Sequence, residues 1–409
     1  MSYTGGRYTV RGGDDVEAAI GRLVAEVGET VRGALQGASI RALVLIGGYG
    51  RGEGGVEILD GREHPHNNLD FLLITEHGGR ERLSALKSRL SKSLRPLERR
   101  HGLSIDLGVI PAAKLLRGPC LVMWYDMRFG HKTVLGDSDF VPSLSRYTVE
   151  RVDAPDLLWL MVNRASQLLV ARVLIDRGHL IEDECKFIIK GAMKTIVAYG
   201  DALLFSLGDY HWSYQEKARR MESHADISSS LTKLYAEAVA FRFQPQYGDY
   251  IRRDLNQWLD DIQDPLENAH LRFESWRMSH DIQNWDNYPQ LALRHAFFDH
   301  RTSMRATTKK ILHCLREPAA PGVGGIVAQL AYRTAGSRGR LPAYFPVPMY
   351  TLDSESLRRD AKHALGARDE SLQELRTAFL RTWGRVVDPN FFKTVERFDL
   401  ALDPKGAVA

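Results

Sequence analysis

One stretch of the sequence decides the fold: Gly47-Gly48-Tyr49-Gly50-Arg51-Gly52-Glu53-Gly54-Gly55. It follows a short apolar run at residues 42–46, which is typical of a buried strand. Six glycines in nine positions indicate a backbone that turns tightly or approaches another group closely. Exposed backbone N–H groups in such a turn bind anions, above all phosphate, and Arg51 can add a bidentate donor. The stretch therefore predicts a strand followed by a phosphate-binding turn.

Two common nucleotide-binding loops are excluded by the residues that follow this turn. The dinucleotide fingerprint G-x-G-x-x-G is present at Gly50, Gly52 and Gly55, but it requires a helix that starts at the last glycine. Residues 56–63 instead alternate around Asp60-Gly61, which is typical of a β-hairpin and leaves no room for a crossover helix. A Walker A loop requires Gly-Lys-Ser/Thr, and the turn does not contain it.

Apolar periodicity on both sides of the turn predicts an α/β unit. An amphipathic helix is expected over residues 14–36, and apolar runs predict two further strands at 69–74 and 103–110. Between these strands lies a helix whose leucines share one stripe: Leu83, Leu86, Leu90, Leu94 and Leu97. The same helix, residues 79–100, carries eight basic residues. These form either a nucleic-acid-binding face or a solvated face, and the lack of interleaved aromatic residues favours the latter.

Two of the predicted strands carry an aspartate inside an apolar run. Asp70 lies on the second strand, where Asn68 shares its face at the i−2 position, and Asp106 lies on the third. A carboxylate inside a buried strand is costly unless it is paired or bound to a metal. Carboxylate oxygens suit Mg²⁺, which would bridge them to substrate phosphates, so the two strands predict a divalent-metal site.

Strand patterns nearly vanish after residue 145. Helical periodicity is expected over six segments: 155–176, 183–206, 229–242, 250–278, 287–316 and 354–382. Prolines and glycines at 317–350 predict a long loop or an extended arm. We therefore predict an α+β chain, with a mixed sheet and helices at residues 1–145 and a mostly α-helical domain at 146–409.

Composition places the chain among ordinary globular proteins. Its 409 residues include 55 Lys and Arg against 51 Asp and Glu, a net charge of +4 that does not by itself indicate nucleic-acid binding. The three cysteines are far apart and none forms a CxxC pair, which argues against a disulfide scaffold or zinc ribbon. No apolar stretch approaches the roughly 20 residues that span a bilayer, and the first residues lack the apolar segment of a signal peptide. We expect a soluble cytoplasmic protein that does not bind membranes.

The order of these features resembles the DNA polymerase β-like nucleotidyltransferase superfamily, which includes the kanamycin-type antibiotic nucleotidyltransferases and the minimal antitoxin-like nucleotidyltransferases. Gly47-Gly48 matches the family's Gly-Gly/Ser turn, and Asp70 and Asp106 match its second and third acidic positions. Residues 130–137 look like its closing strand. The resemblance covers roughly residues 15–140 and implies a nucleotidyltransferase fold, with a helical partner domain that shapes the acceptor site.

This resemblance implies transfer of a nucleoside monophosphate from an NTP to an acceptor hydroxyl, with release of pyrophosphate. Two Mg²⁺ or Mn²⁺ ions about 3.5–4 Å apart would stabilise the attacking and leaving oxygens. Asp70 would bridge the metals, and Asp106 would hold the nucleophile-side metal and deprotonate the acceptor. The loop 47–52 would cradle the triphosphate, and the nucleotide-binding candidates here are Gly47, Gly48, Tyr49, Arg51 and Glu53.

The sequence departs from the family pattern at Asn68, which stands at the first acidic position. Its amide oxygen can ligate a cation but brings no charge, so either Glu53 or Glu63 supplies the missing carboxylate or the site is degenerate. In the second case the protein binds a nucleotide or a partner without catalysis. For an enzyme, a small-molecule acceptor is favoured over a tRNA or a protein, because no RNA-binding module is recognisable.

The helical domain offers three further candidates. Lys190, Lys194 and Asp201 follow the spacing i, i+4, i+11 and therefore share one helix face. The lysines could bind the β- and γ-phosphates, and Asp201 could act as a general base or orient the acceptor. A structural ion-pair network explains the same spacing equally well.

Overall fold

The computed structural model describes residues 6–298, 324–350 and 354–400, together with isolated residues at 308, 312, 314, 315, 319, 352 and 402. The chain forms two compact units, residues 1–156 with 207–246 and residues 157–206 with 247–409. The predicted N-terminal domain, 1–145, falls within the first unit. That unit also takes in 207–246, a part of the chain that the sequence pattern had grouped with the helical domain.

The first unit is built on a four-stranded mixed sheet of order β5-β4-β1-β6. Its strands are β1 (Ile40–Ile46), β4 (Leu69–Thr75), β5 (Ile105–Pro111) and β6 (Lys132–Gly136), with a separate hairpin of β2 (Val56–Leu59) and β3 (Arg62–Pro65). Its helices are α1 (Asp14–Ala34), α2 (Gly47–Arg51), α3 (Arg80–His101), α4 (Ala112–Arg117), α5 (Val122–Phe129), α8 (Tyr214–Ser223) and α9 (Ser229–Phe243). The predicted hairpin is confirmed, and β6 lies within residues 130–137, where the family resemblance implies a strand.

Helices α1 and α3 cover one face of this sheet. Their apolar stripes recur every three or four residues, at Val16, Ile20, Leu23 and Val27 on α1 and at Leu86, Leu90, Leu94 and Leu97 on α3. These side chains pack with the alternate strand residues Leu43, Leu45, Leu69, Phe71, Leu73, Ile105 and Leu107. Because side chains alternate along a strand, the residues between these, Asp70 and Asp106 among them, belong to the opposite face.

In the described residues of the second unit, all regular secondary structure is helical. It contains α6 (Ala154–Asp176), α7 (Glu182–Ser206), α10 (Tyr247–Ile251), α11 (Leu255–Asp261), α12 (Gln263–Met278), α13 (Tyr288–Phe298), α14 (Ile326–Tyr344), α15 (Pro346–Met349), α16 (Glu355–Leu365), α17 (Leu372–Val386) and α18 (Phe391–Arg397). The helix expected over 250–278 is divided into three. The one expected over 354–382 is divided at Gly366, which adopts a left-handed conformation with φ of 69°.

The prediction of a loop or arm at 317–350 is wrong for the described part of that segment. Helix α14 occupies residues 326–344 with a kink at Gly336, where φ is 57°. Residues 340–350 are all buried, and Pro346 stands in the first turn of α15, where no backbone N–H donor is needed. Burial of this apolar run therefore outweighs the helix-breaking tendency of its prolines and glycines.

One described helix, α6, is long and apolar enough to span a bilayer by length and composition, contrary to our expectation from the sequence. Its best 18-residue window has a mean hydropathy of 1.3, and 56% of that window is buried inside the protein. A buried apolar helix of this kind is typical of the core of a soluble protein.

Candidate functional site

Asp70 and Asp106 are direct neighbours across the parallel pair β4–β5. Each is the second residue of its strand, so the shared register brings both side chains to the same end of the same sheet face. Asp106 is exposed and Asp70 is half-buried, which leaves the pair open to a ligand. The predicted convergence of the two carboxylates is therefore present.

Asn68 joins the two carboxylates. It precedes β4, and its Nδ2 donates to Asp70 Oδ1 at 2.9 Å and to Asp106 Oδ2 at 2.5 Å. The three side chains form one cluster, which we call the Asp–Asn–Asp cluster. One amide group thus serves as the common donor between two negative charges.

The glycine stretch lies directly against this cluster. Gly47 adopts a φ of +67°, and a β-carbon there would overlap Asp70 Oδ2. Glycine is required at this position for both reasons, because other residues rarely adopt that φ and none has room beside the carboxylate. A β-carbon on Gly48 would lie 3.2 Å from Glu53 O and 3.6 Å from Arg242 Nη2.

The rest of the stretch is more ordered than an open turn. Residues 47–51 form the short helix α2, which ends at Gly52 in a left-handed conformation with φ of 79°. The backbone N–H groups of the next residues are already engaged, since Glu53 N donates to Gly48 O at 2.8 Å and Gly54 N donates to Tyr8 O at 2.9 Å. Gly47, at the start of the stretch, is the residue whose backbone directly contacts Asp70 of the Asp–Asn–Asp cluster.

Two of the predicted nucleotide-binding side chains point into the protein. Tyr49 is buried, its hydroxyl donates to Gly55 O at 2.8 Å, and burial raises its pKa to about 12. The Arg51 guanidinium lies 3.3 Å from Asp126 and stacks over the Tyr214 ring at 4.8 Å. In this arrangement both side chains hold the glycine stretch in place.

The carboxylates suggested as replacements for the first acidic residue are used elsewhere. Glu53 is 3% exposed and caps the start of α8, where its oxygens accept hydrogen bonds from Ser213 Oγ at 2.6 Å, Tyr214 N at 3.0 Å and Gln215 N at 3.2 Å. Glu63 accepts a hydrogen bond from Gly13 N at 2.6 Å, before α1. These hydrogen bonds to helix starts give both carboxylates a structural role, and their part in a metal site stays a prediction.

Sequence analysis missed Arg242, in the last turn of α9. Its guanidinium lies beside Gly48 and 4.3 Å from the centre of the Tyr214 ring, and its Nε is buried without a hydrogen-bond partner among the described residues. A cation near the end of a helix is common, so the sequence carries no distinguishing signal for it. The fold places this positive charge next to the start of the glycine stretch.

The oxygen donors available to a metal come from the Asp–Asn–Asp cluster. Across the described part of the chain, no group of three His, Cys, Asp or Glu side chains is arranged to hold an ion. The two aspartates supply carboxylate oxygens, and Asn68 can supply Oδ1 once its amide rotates by half a turn. Hard oxygen donors of this kind fit Mg²⁺ or Mn²⁺ better than softer metals.

The candidates in the helical domain lie on α7, within the second unit. Lys190 and Lys194 are half-buried and Asp201 is buried, and the helix gives the three side chains the shared face that their spacing predicts. Their roles toward a nucleotide stay predictions.

Comparison with protein families finds no family model that matches this chain, and comparison with curated proteins finds no match either. Function is therefore inferred from the chemistry of the site.

Proposed function

We propose that this protein is a Mg²⁺-dependent nucleotidyltransferase, which moves a nucleoside monophosphate from an NTP to an acceptor hydroxyl and releases pyrophosphate. One observation carries the proposal: Asp70 and Asp106 are register neighbours on one sheet face, beside a glycine that contacts Asp70. Carboxylate pairs on adjacent strands next to a close backbone approach suit a cation that is bound together with phosphate.

The side chains of the site would bind the cation and the phosphate groups of the NTP. Asp70 and Asp106, with Asn68 Oδ1, would hold the cation, and Mn²⁺ would fit the same donors. When bound, the cation would neutralise phosphate charge and polarise the α-phosphoryl group. Arg242 lies where it can donate to phosphate oxygens beside Gly48.

The chemical step forms one bond and breaks one. The acceptor oxygen bonds to the α-phosphorus while the bond from that phosphorus to the bridging oxygen of the β-phosphate breaks, and pyrophosphate leaves. Asp106, the more exposed carboxylate, accepts the proton of the acceptor hydroxyl. We propose that the acceptor is a small molecule rather than a tRNA or a protein, and that the reaction takes place in the cytoplasm.

The proposal is tested with α-labelled NTPs, Mg²⁺ or Mn²⁺ and a fractionated cell extract as the source of acceptor. Asp70→Asn and Asp106→Asn keep the side-chain shape and remove the charge, so each should lower label transfer at least a hundredfold, an order typical of transition-state charge stabilisation. Asp60→Asn, at the exposed hairpin turn, is the matched control and should transfer normally. Full transfer by both site variants would refute the proposal.

One observation favours a second function, nucleotide or partner binding without catalysis. The Asn68 amide satisfies both carboxylates by hydrogen bonds, so the pair is stable without a cation. This alternative predicts NTP binding with no pyrophosphate release from the native protein. Asn68→Asp separates the two functions. An enzyme should gain affinity for Mn²⁺ from the added charge and keep its transfer activity. A degenerate protein should also gain affinity for Mn²⁺, but its native form should show no transfer at all.

A further inference from the structure

Helix α3 has a larger net positive charge than the chain as a whole. Between Arg80 and His101 it carries eight Lys and Arg residues against two Glu residues, a net charge of +6. The entire chain has a net charge of only +4, so the remainder has a net charge of −2. The excess positive charge is therefore a local property of this helix.

Most of these cations are exposed and unpaired. Arg89 donates to Ala34 O and Leu35 O, and Arg100 pairs with Glu26. The other six have no ion pair or side-chain hydrogen bond to any described residue, and all six are exposed: Arg80, Arg82, Lys87, Lys92, Arg95 and Arg99. Of the two acidic residues, Glu98 accepts a hydrogen bond from Ile105 N, which leaves Glu81 as the exposed one.

The six cations are spread around a long helix, with Arg80, Arg82 and Lys87 on the flanks of its leucine stripe. The 22 residues of α3 extend about 33 Å at 1.5 Å per residue. Its leucine stripe faces the sheet, and Lys92, Arg95 and Arg99 project from the opposite side, because they lie half a turn from the leucines. We call these three residues, together with the flanking Arg80, Arg82 and Lys87, the α3 basic face.

The composition of the α3 basic face selects among polyanions. No large hydrophobic residue of α3 is exposed, so the face lacks the apolar anchors with which a helix enters a lipid surface. It carries no Phe, Tyr or Trp, so it offers no stacking platform for the bases of a single strand. This lack favoured a solvated face in the sequence, but it does not argue against a duplex, which is bound through its phosphate backbone. Of the polyanions considered, a stiff one with regularly spaced phosphates therefore matches the α3 basic face best.

We propose that the α3 basic face docks the phosphodiester backbone of a nucleic-acid duplex. Lys and Arg side chains contact successive phosphates and release the counterions that those phosphates hold, so binding is independent of base sequence and strongly salt-dependent. The proposal does not depend on the chemistry of the Asp–Asn–Asp cluster, because it rests on the outer surface of one helix.

The test measures anisotropy of labelled RNA and DNA duplexes of about 20 base pairs, between about 50 and 200 mM salt. The test variant is Lys92→Gln/Arg95→Gln/Arg99→Gln. The control is Lys114→Gln/Arg117→Gln/Arg151→Gln, which removes the same charge from exposed residues outside α3. Circular dichroism and a thermal melt verify that both variants are folded.

The test variant should bind a duplex at least tenfold more weakly, and the slope of log affinity against log salt should fall by about 2–3. The control should bind like the native protein. Tighter binding of one duplex would show whether RNA or DNA is the duplex that binds the α3 basic face. Equal loss in both variants, no duplex binding, or binding only to phosphatidylserine vesicles would overturn the proposal. Loss of label transfer in Asp70→Asn with duplex binding intact would separate this face from the proposed reaction.

Discussion

Gly47 lies so close to Asp70 that a β-carbon on this glycine would overlap the aspartate Oδ2. The glycine stretch and the carboxylate pair are therefore one structural unit, and the position of Asp70 depends on a residue that has no side chain.

Gly47→Ala tests this contact, and Gly37→Ala is its control. Both glycines have positive φ, +67° and +79°, but a β-carbon at Gly37 meets nothing within 4 Å. Each variant should lose about 1–2 kcal/mol of unfolding free energy from backbone strain. Only Gly47→Ala should also weaken Mn²⁺ binding, measured by paramagnetic resonance. Equal metal affinity in the two variants would contradict the assigned contact.

Arg242→Met tests the positive charge beside Gly48. Methionine keeps much of the apolar stem but removes the donors, so NTP affinity should fall about tenfold or more, as expected for loss of a charge-assisted hydrogen bond. Calorimetric titration with a non-hydrolysable NTP measures the change. Arg219→Met, which removes an exposed arginine that pairs with Glu216, should leave the affinity unchanged. Unaltered affinity in Arg242→Met would remove this residue from the site.

Glu53→Gln tests whether this carboxylate anchors α8 or serves a metal. The buried Glu53 carboxylate caps α8, and Gln cannot accept the same set of hydrogen bonds. We expect a loss of about 2–4 kcal/mol in chemical denaturation, with Mn²⁺ affinity unchanged. Glu63→Gln, at the more exposed cap before α1, should cost less. A stable Glu53→Gln protein with reduced metal affinity would reverse the assignment.

His270 should make the second unit sensitive to acid. It is fully buried, its Nδ1 lies 2.9 Å from the Tyr350 hydroxyl, and burial lowers its pKa to about 4 against the opposing attraction of Glu274. The unfolded chain binds this proton near pH 6.5 and the folded protein near pH 4, so stability falls as the pH falls through that window. The loss approaches about 3 kcal/mol by the lower end.

Urea titrations from pH 7 to pH 4.5 measure this dependence. His270→Gln should be less stable at pH 7, because the hydrogen bond is altered, but its unfolding free energy should change less across the window. An identical slope in the two proteins would show that other groups cause the acid sensitivity.

Local pattern was sufficient to predict the hairpin, the three strands β1, β4 and β5, and the meeting of Asp70 with Asp106. Alternation fixed the face of each aspartate, and the leucine-striped helix between the two strands indicated an α/β unit. The contacts of Glu53 and Arg242 could not be predicted, because they join parts of the chain that are far apart in sequence, 160 residues in the case of Glu53 and Ser213. The helix at Ile326–Tyr344 was missed because its proline and glycine content outweighed an apolar run whose burial only the packed structure reveals.

The first unit is discontinuous in sequence: the chain leaves it after Asp156 and returns at Leu207. A ribosome that has released the sheet has not yet released Ser213, which Glu53 needs, or Arg242, which reaches Gly48. In the nascent protein, the Glu53 carboxylate therefore lacks its hydrogen-bond donors on α8 until some 160 further residues have been translated. Vectorial synthesis thus delays completion of this unit until the chain has been translated through residue 246.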